Sequence, residues 1–233
     1  MNNLKEIKKV SLWIFIIPLL AVNICWLIVT HHQYFTETLF EVDHVSRLNF
    51  TIPYLSGEFS ISRSARVYPS YLIFKPAMIF TAFLLIKYWI YNSRLFSSLD
   101  SHSSLIKYFR FFGIASAVFL VLHSIFLGVN IDMEIYKFFR RFVLLSFIIF
   151  ELIAQTLLVI NFIKFKKNIK NLFRQWVLNI KIFLVITLII VALVTIPILS
   201  SSGFKDLKHI LEWNYFVAII SFYFLTFLFW KKK

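Results

Sequence analysis

The chain has 233 residues, 60% of them hydrophobic and only 15% charged, with a mean hydropathy of +0.79. Soluble domains carry about a quarter charged residues, so this composition excludes a water-soluble globule and places the chain among integral, multi-pass membrane proteins. A formal charge of +14 would suit nucleic acid in a soluble protein. Here the Lys and Arg residues cluster at the ends of hydrophobic runs, which suits lipid headgroups and topology control, and no nucleic-acid motif is present.

Six segments reach the roughly 20 apolar residues that a membrane helix needs: residues 11–30, 68–91, 108–130, 139–165, 176–199 and 210–230. They predict an all-α, six-helix membrane bundle forming one domain over residues 1–233. The first run follows "KEIKK" but is too long for a signal peptide and lacks a small-x-small cleavage site, so it is read as a retained signal anchor. The 31–67 connection is long for a structureless link. It is expected to hold local structure, with "YFTETLFEV" as a short amphipathic helix at the interface. In the fifth span Lys181 is expected to snorkel to the nearer surface.

Charge sets the orientation. Lys5, Lys8 and Lys9, then Arg94, Lys107 and Arg110, then Lys164, Lys166, Lys167, Lys170 and Arg174, and finally Lys231, Lys232 and Lys233 share one side if there are six spans. On the other side Arg47, Arg63 and Arg66 are diluted by Glu37, Glu41, Asp43 and Glu58, and the remaining loops mix Asp132 and Glu134 with Lys137, and Lys205 with Asp206. Both termini are therefore expected in the cytoplasm and the 31–67 loop on the exoplasmic side. "NFT" at residues 49–51 is a sequon whose Asn49 matters only in a glycosylating host.

Ionisable groups inside a bilayer are costly and by default functional. Lys75 and His123 fall inside the second and third spans, Glu151 near the middle of the fourth with Gln155 on the same face, and Glu212 at the start of the sixth with His209 one turn before it. With Arg140 and Arg141 at the head of the fourth span, these residues form a candidate polar pocket in the exoplasmic half. The alternative is structural: Lys75 snorkels, the arginines touch phosphates, His123 bonds a carbonyl, and a pair such as Lys75 with Glu151 only joins helices. His31, His32, Glu37, Glu41, Asp43 and His44 are metal ligands by type but lack a recognised spacing, so no metal site is assigned. With four glycines, no phosphate-binding loop and no nucleophile elbow, no cofactor is expected and catalytic residues stay unassigned. Cys25 stands alone, which excludes an intramolecular disulfide.

Several local patterns occur in order: "THH" closing the first span, "PYLS" at residues 53–56, Pro69 leading into the second span, "AQTLLVINF" ending the fourth, and "LEWNYFVAIISFYFLTFLFW" forming the sixth. Together they resemble the family of damage-regulated autophagy modulators, which also holds the factors that remodel GPI-anchor lipids. Pro53, Ser56, Pro69, Gln155, Glu212 and Trp213 stand at matching positions. The sequence departs where relatives often carry a histidine at the head of the fourth helix; here Lys137, Phe139 and Arg140 stand nearby. The resemblance implies a lipid-linked role, by GPI-anchor remodelling, control of lipid distribution or modulation of autophagy. Three functions are weighed: lipid binding or remodelling through the exoplasmic pocket, a non-enzymatic regulator that binds a partner membrane protein, and a small transporter. Membrane lipids are the expected partners.

Overall fold

The computed structural model describes residues 2–100, 103–129, 133–201 and 203–231, the side chains of 2, 45, 137, 199 and 200 excepted. Asp132, Lys232, Lys233 and the side chain of Lys137, used above for charge balance, lie outside what is described. Among the described residues the chain is all-helical, and six helices are long and apolar enough to cross a membrane. They are α1 (Asn2–Thr30), α4 (Ser70–Ser97), α5 (Ser104–Phe126), α6 (Glu134–Lys164), α8 (Gln175–Ser200) and α9 (Lys205–Phe229). Between them lie three short helices: α2 (Pro53–Ser56), α3 (Ile61–Ala65) and α7 (Lys166–Ile169).

Most of the long helices outrun the apolar segments that mark them. α1 begins nine residues before residue 11, running through Lys5, Glu6, Lys8 and Lys9, and α4 runs on to Ser97. At 1.5 Å per residue, a helix of 28 residues spans about 42 Å and extends beyond a hydrocarbon core of about 30 Å. Charged residues that stop an apolar run do not stop a helix. α5 ends instead at Phe126, short of residue 130, because Gly128 turns the chain with a φ of +80°.

The helices pack as a ring in the order α1, α4, α5, α6, α8, α9 and back to α1. The α4–α5 seam is close: a Cβ at Gly113 would sit 2.3 Å from the Trp89 ring. The start of α1 and the end of α9 lie at one end of the bundle, called here the terminal end. Lys8 Nζ donates to Trp230 O at 3.2 Å, the Arg174 N–H donates to Phe229 O, and Lys164 pairs with Asp100 at 3.1 Å. The α1–α4 and α8–α9 connections meet at the opposite, loop end.

The 31–67 connection forms a lid over the loop end. "YFTETLFEV" does not become an amphipathic helix. The chain makes a single 3₁₀ turn at His32–Phe35, and Glu37 adopts a φ of +61°, which a helix cannot accommodate. "PYLS" is α2 itself, with Pro53 in the first turn, where its missing N–H costs nothing. Gly57 caps α2 in the left-handed region, and a Cβ there would fall 2.0 Å from Asp206 O. α1 and α9 stitch the lid down. Trp26 Nε1 donates to Thr51 O at 3.0 Å, Tyr54 OH to Asn23 Oδ1 at 3.1 Å, and Asn214 Nδ2 to Tyr54 O at 2.9 Å. Burial pushes the Tyr54 phenol above its usual range, with the Asn23 hydrogen bond acting the other way.

Candidate functional site

A cavity of about 140 Å³, open in part, lies within the ring, walled by α1, α4, α5, α6 and α9 and roofed by Ile61 and Ser62 of α3. Its walls are apolar: Ile14, Pro18, Met78, Leu120, Phe147 and Ile219 are typical. Polar groups sit at its ends and side. Glu212 and Tyr215 lie toward the roof, Glu151 and Tyr223 at the floor, and His123 on the α5 wall. Glu212 and Tyr223 are eleven residues apart on α9, a rise of roughly 16 Å, or half a hydrocarbon core. Leu144, Phe147, Ile148, Tyr215 and Phe216 keep partly exposed surface. The hydrogen bonds that join α6 to α9, Tyr223 to Glu151 and Gln155 Nε2 to Ile219 O, lie at and below the floor.

The structure answers what Glu212 touches. Its Oε1 accepts from the Ser62 backbone N–H at 3.4 Å, and among the described residues no Lys or Arg lies within 4 Å of it. The neighbouring Trp213 is buried, donates from Nε1 to Phe59 O at 3.0 Å, and meets Tyr54 edge-on at 5.1 Å. His209 Nδ1 lies 2.7 Å from Gly57 O. His209, Glu212 and Trp213 thus hold the lid that "PYLS" builds, and only Glu212 also faces the cavity.

Glu151 is 1% exposed and fully partnered. Its Oε1 accepts from Gln155 Nε2 at 3.0 Å and from Tyr223 OH, and its Oε2 lies 2.7 Å from Ser116 Oγ. Ser116 has one hydroxyl hydrogen and lies equally close, at 2.8 Å, to Gly113 O. Both contacts are satisfied when Ser116 donates to Gly113 O and a protonated Glu151 donates to Ser116. A neutral carboxyl is also what a low-dielectric interior favours over an unpaired carboxylate.

The sequence-derived pocket divides. Glu212, His123 and Glu151 line one cavity, with Gln155 behind Glu151. Lys75 and Arg140 do not line it. Lys75 reaches Ile125 O at 3.4 Å and lies over the Tyr71 ring, and Arg140 lies over Tyr136. A Lys75–Glu151 pair is not formed. Pro69 follows a cis peptide at the head of α4, and Ser56 donates to Ile52 O. Tyr223, Ser116 and Tyr215 were not singled out from the sequence. Lys181 corrects the snorkelling expectation. It is 0% exposed, donating to Thr226 Oγ1 at 2.6 Å beneath the Phe222 ring. Among the described residues no cluster of three or more potential metal ligands occurs.

No family model, curated protein or solved structure matches the chain.

Proposed function

We infer that this integral membrane protein handles lipid, holding part of an acyl chain in the cavity with the polar head beside Glu212 and His123. The observation that supports this most is the cavity's composition: an apolar shaft within a membrane bundle, with ionisable groups at its ends. A dry cavity of comparable volume lined by Leu, Ile and Phe readily takes an apolar guest. Glu212 and Tyr215 place hydrogen-bonding groups toward the roof, where the lid meets α9. The basic terminal end would face the cytoplasm by the positive-inside rule, which puts the lid and Glu212 in the outer leaflet. The resemblance to autophagy modulators and GPI-anchor remodelling factors points to the same class of ligand. The geometry supports binding.

Filling the shaft tests this. In Ile219→Trp the added ring occupies the cavity, and lipid retained through purification, measured by native mass spectrometry, should fall by about tenfold. Leu193→Trp, on the exposed face of α8, serves as the control and should leave it unchanged. Equal lipid retention in both variants would count against the reading.

A further inference from the structure

The cavity carries an imbalance of charge. Its ionisable lining residues are Glu212 and Tyr215 toward the roof, His123 on the α5 wall, and Glu151 and Tyr223 at the floor. Among the described residues that line it there is no Lys and no Arg; Arg63 adjoins Ser62 in sequence and Arg140 lies on α6, and neither lines the cavity. At the floor, Ser116, Gln155 and Tyr223 occupy both oxygens of Glu151. The apolar wall favours His123 as the neutral imidazole. Glu212 stands apart. Only backbone holds it: the Ser62 N–H donates to Oε1 over a long 3.4 Å, with the Ile61 N–H nearby, and among the described residues no side chain bonds to it. Tyr215, three residues further along α9, spends its hydroxyl on Leu188 O at 3.3 Å and lines the cavity together with Phe216. The roof therefore offers one carboxyl group without a counter-ion, close in sequence to two aromatic residues.

We propose that the cavity selects lipid amines, with an ammonium head and no phosphate, and that Glu212 is the residue that selects them. This rests on the lipid-cavity reading and names the class of head that the roof accepts. A buried carboxylate without a counter-ion is costly and is held as the neutral acid. An ammonium is the partner that lets the carboxylate form. It donates charge-assisted N–H bonds to Glu212, and aromatic rings such as those of Tyr215 and Phe216 attract it. A long-chain amine that enters uncharged takes the proton from Glu212, which gives the same ammonium–carboxylate pair and changes no other group. An alcohol head makes a hydrogen bond but leaves Glu212 a neutral acid, so the gain from pairing charges is missing. A carboxylate or phosphate head fares worst. It brings a charge of the same sign as Glu212 into a cavity whose described lining holds no Lys or Arg to offset it. The order of preference is therefore amine, then alcohol, then acid.

Four ligands that share one chain and differ only in the head test this: hexadecylamine, hexadecanol, palmitate and hexadecyl phosphate. Each is titrated into full-length protein in a non-ionic detergent, and binding is read by native mass spectrometry. The wild type should take hexadecylamine about tenfold more tightly than hexadecanol, and palmitate and hexadecyl phosphate more weakly than either. Glu212→Gln keeps the size of the side chain and an oxygen for the Ser62 N–H, and it should bring the amine down to the affinity of the alcohol. Tyr215→Leu should reduce the preference for the amine by about threefold, and it carries the comparison if size-exclusion profiles show that Glu212→Gln fails to fold. Ile219→Trp, which fills the shaft, should weaken all four ligands alike. Equal binding of all four heads by the wild type, or an amine preference that survives in Glu212→Gln, would overturn the selection and leave the lipid cavity standing. No binding of any of the four would overturn both.

Discussion

Glu151→Gln should leave the melting temperature in detergent nearly unchanged, whereas Glu151→Ala should cost about 3–5 kcal/mol. The contrast follows from the hydrogen count at Ser116. A neutral carboxyl presents one accepting oxygen, used by Tyr223 and Gln155, and one donor, aimed at Ser116. A glutamine amide reproduces that pattern, with its carbonyl in place of Oε1 and its NH₂ in place of the acid hydroxyl. Alanine removes both, stranding the Tyr223 hydroxyl in a dry interior, where an unsatisfied group costs about 1–3 kcal/mol, leaving the Gln155 amide only Ile219 O, and adding a void. Thermal unfolding of the three proteins in one detergent decides the matter. If Gln proves as damaging as Ala, Glu151 is held as a carboxylate and the assignment of its proton is wrong.

Thr226→Val should destabilise the protein by about 2–4 kcal/mol, and adding Lys181→Met to it should recover most of that loss. Thr226 Oγ1 is the common acceptor for Lys181 and Tyr88. Without it, a buried amine keeps only its aromatic neighbours and a buried phenol loses its partner. Methionine fills nearly the same volume as lysine without the amine, and exchanging a buried ionisable group for an apolar one of similar size is often neutral or stabilising. Lys181→Met alone should therefore melt at or above the wild-type temperature. Strict additivity in this double-mutant cycle would mean that Lys181 draws its stability from elsewhere.

The six spans were legible because hydrophobic length is a local property, and the all-helical class followed from it. What a charged residue does within a span was only half legible. Position in the sequence gives depth, while facing depends on how each helix is rotated in the ring. Glu212, His123 and Glu151 have both the depth and the facing to share the cavity. Lys75 and Arg140 have similar depth but turn to the α4–α5 surface and to Tyr136. Lys181 was misread because nearness to a helix end suggests snorkelling. Its spacing carried a usable signal, for Val177, Val185 and Leu188 lie four before, four after and seven after it, and all are buried. Glu212 and Trp213 were marked as a motif, but their work of binding Ser62 and Phe59 spans some 150 residues and had no local trace. Ser116, Tyr223, Thr226 and Tyr88 carry no charge and drew no notice, though they satisfy the two costliest groups in the core.

The most direct test of the lipid-cavity reading is photo-crosslinking with a lipid that carries a diazirine along its acyl chain, followed by peptide mapping. Saturable labelling of Met78, Leu120, Phe147 and Ile219, competed by unlabelled lipid, is the expected result. Labelling confined to outward-facing residues such as Phe183 and Leu193, with the cavity walls untouched, would contradict it.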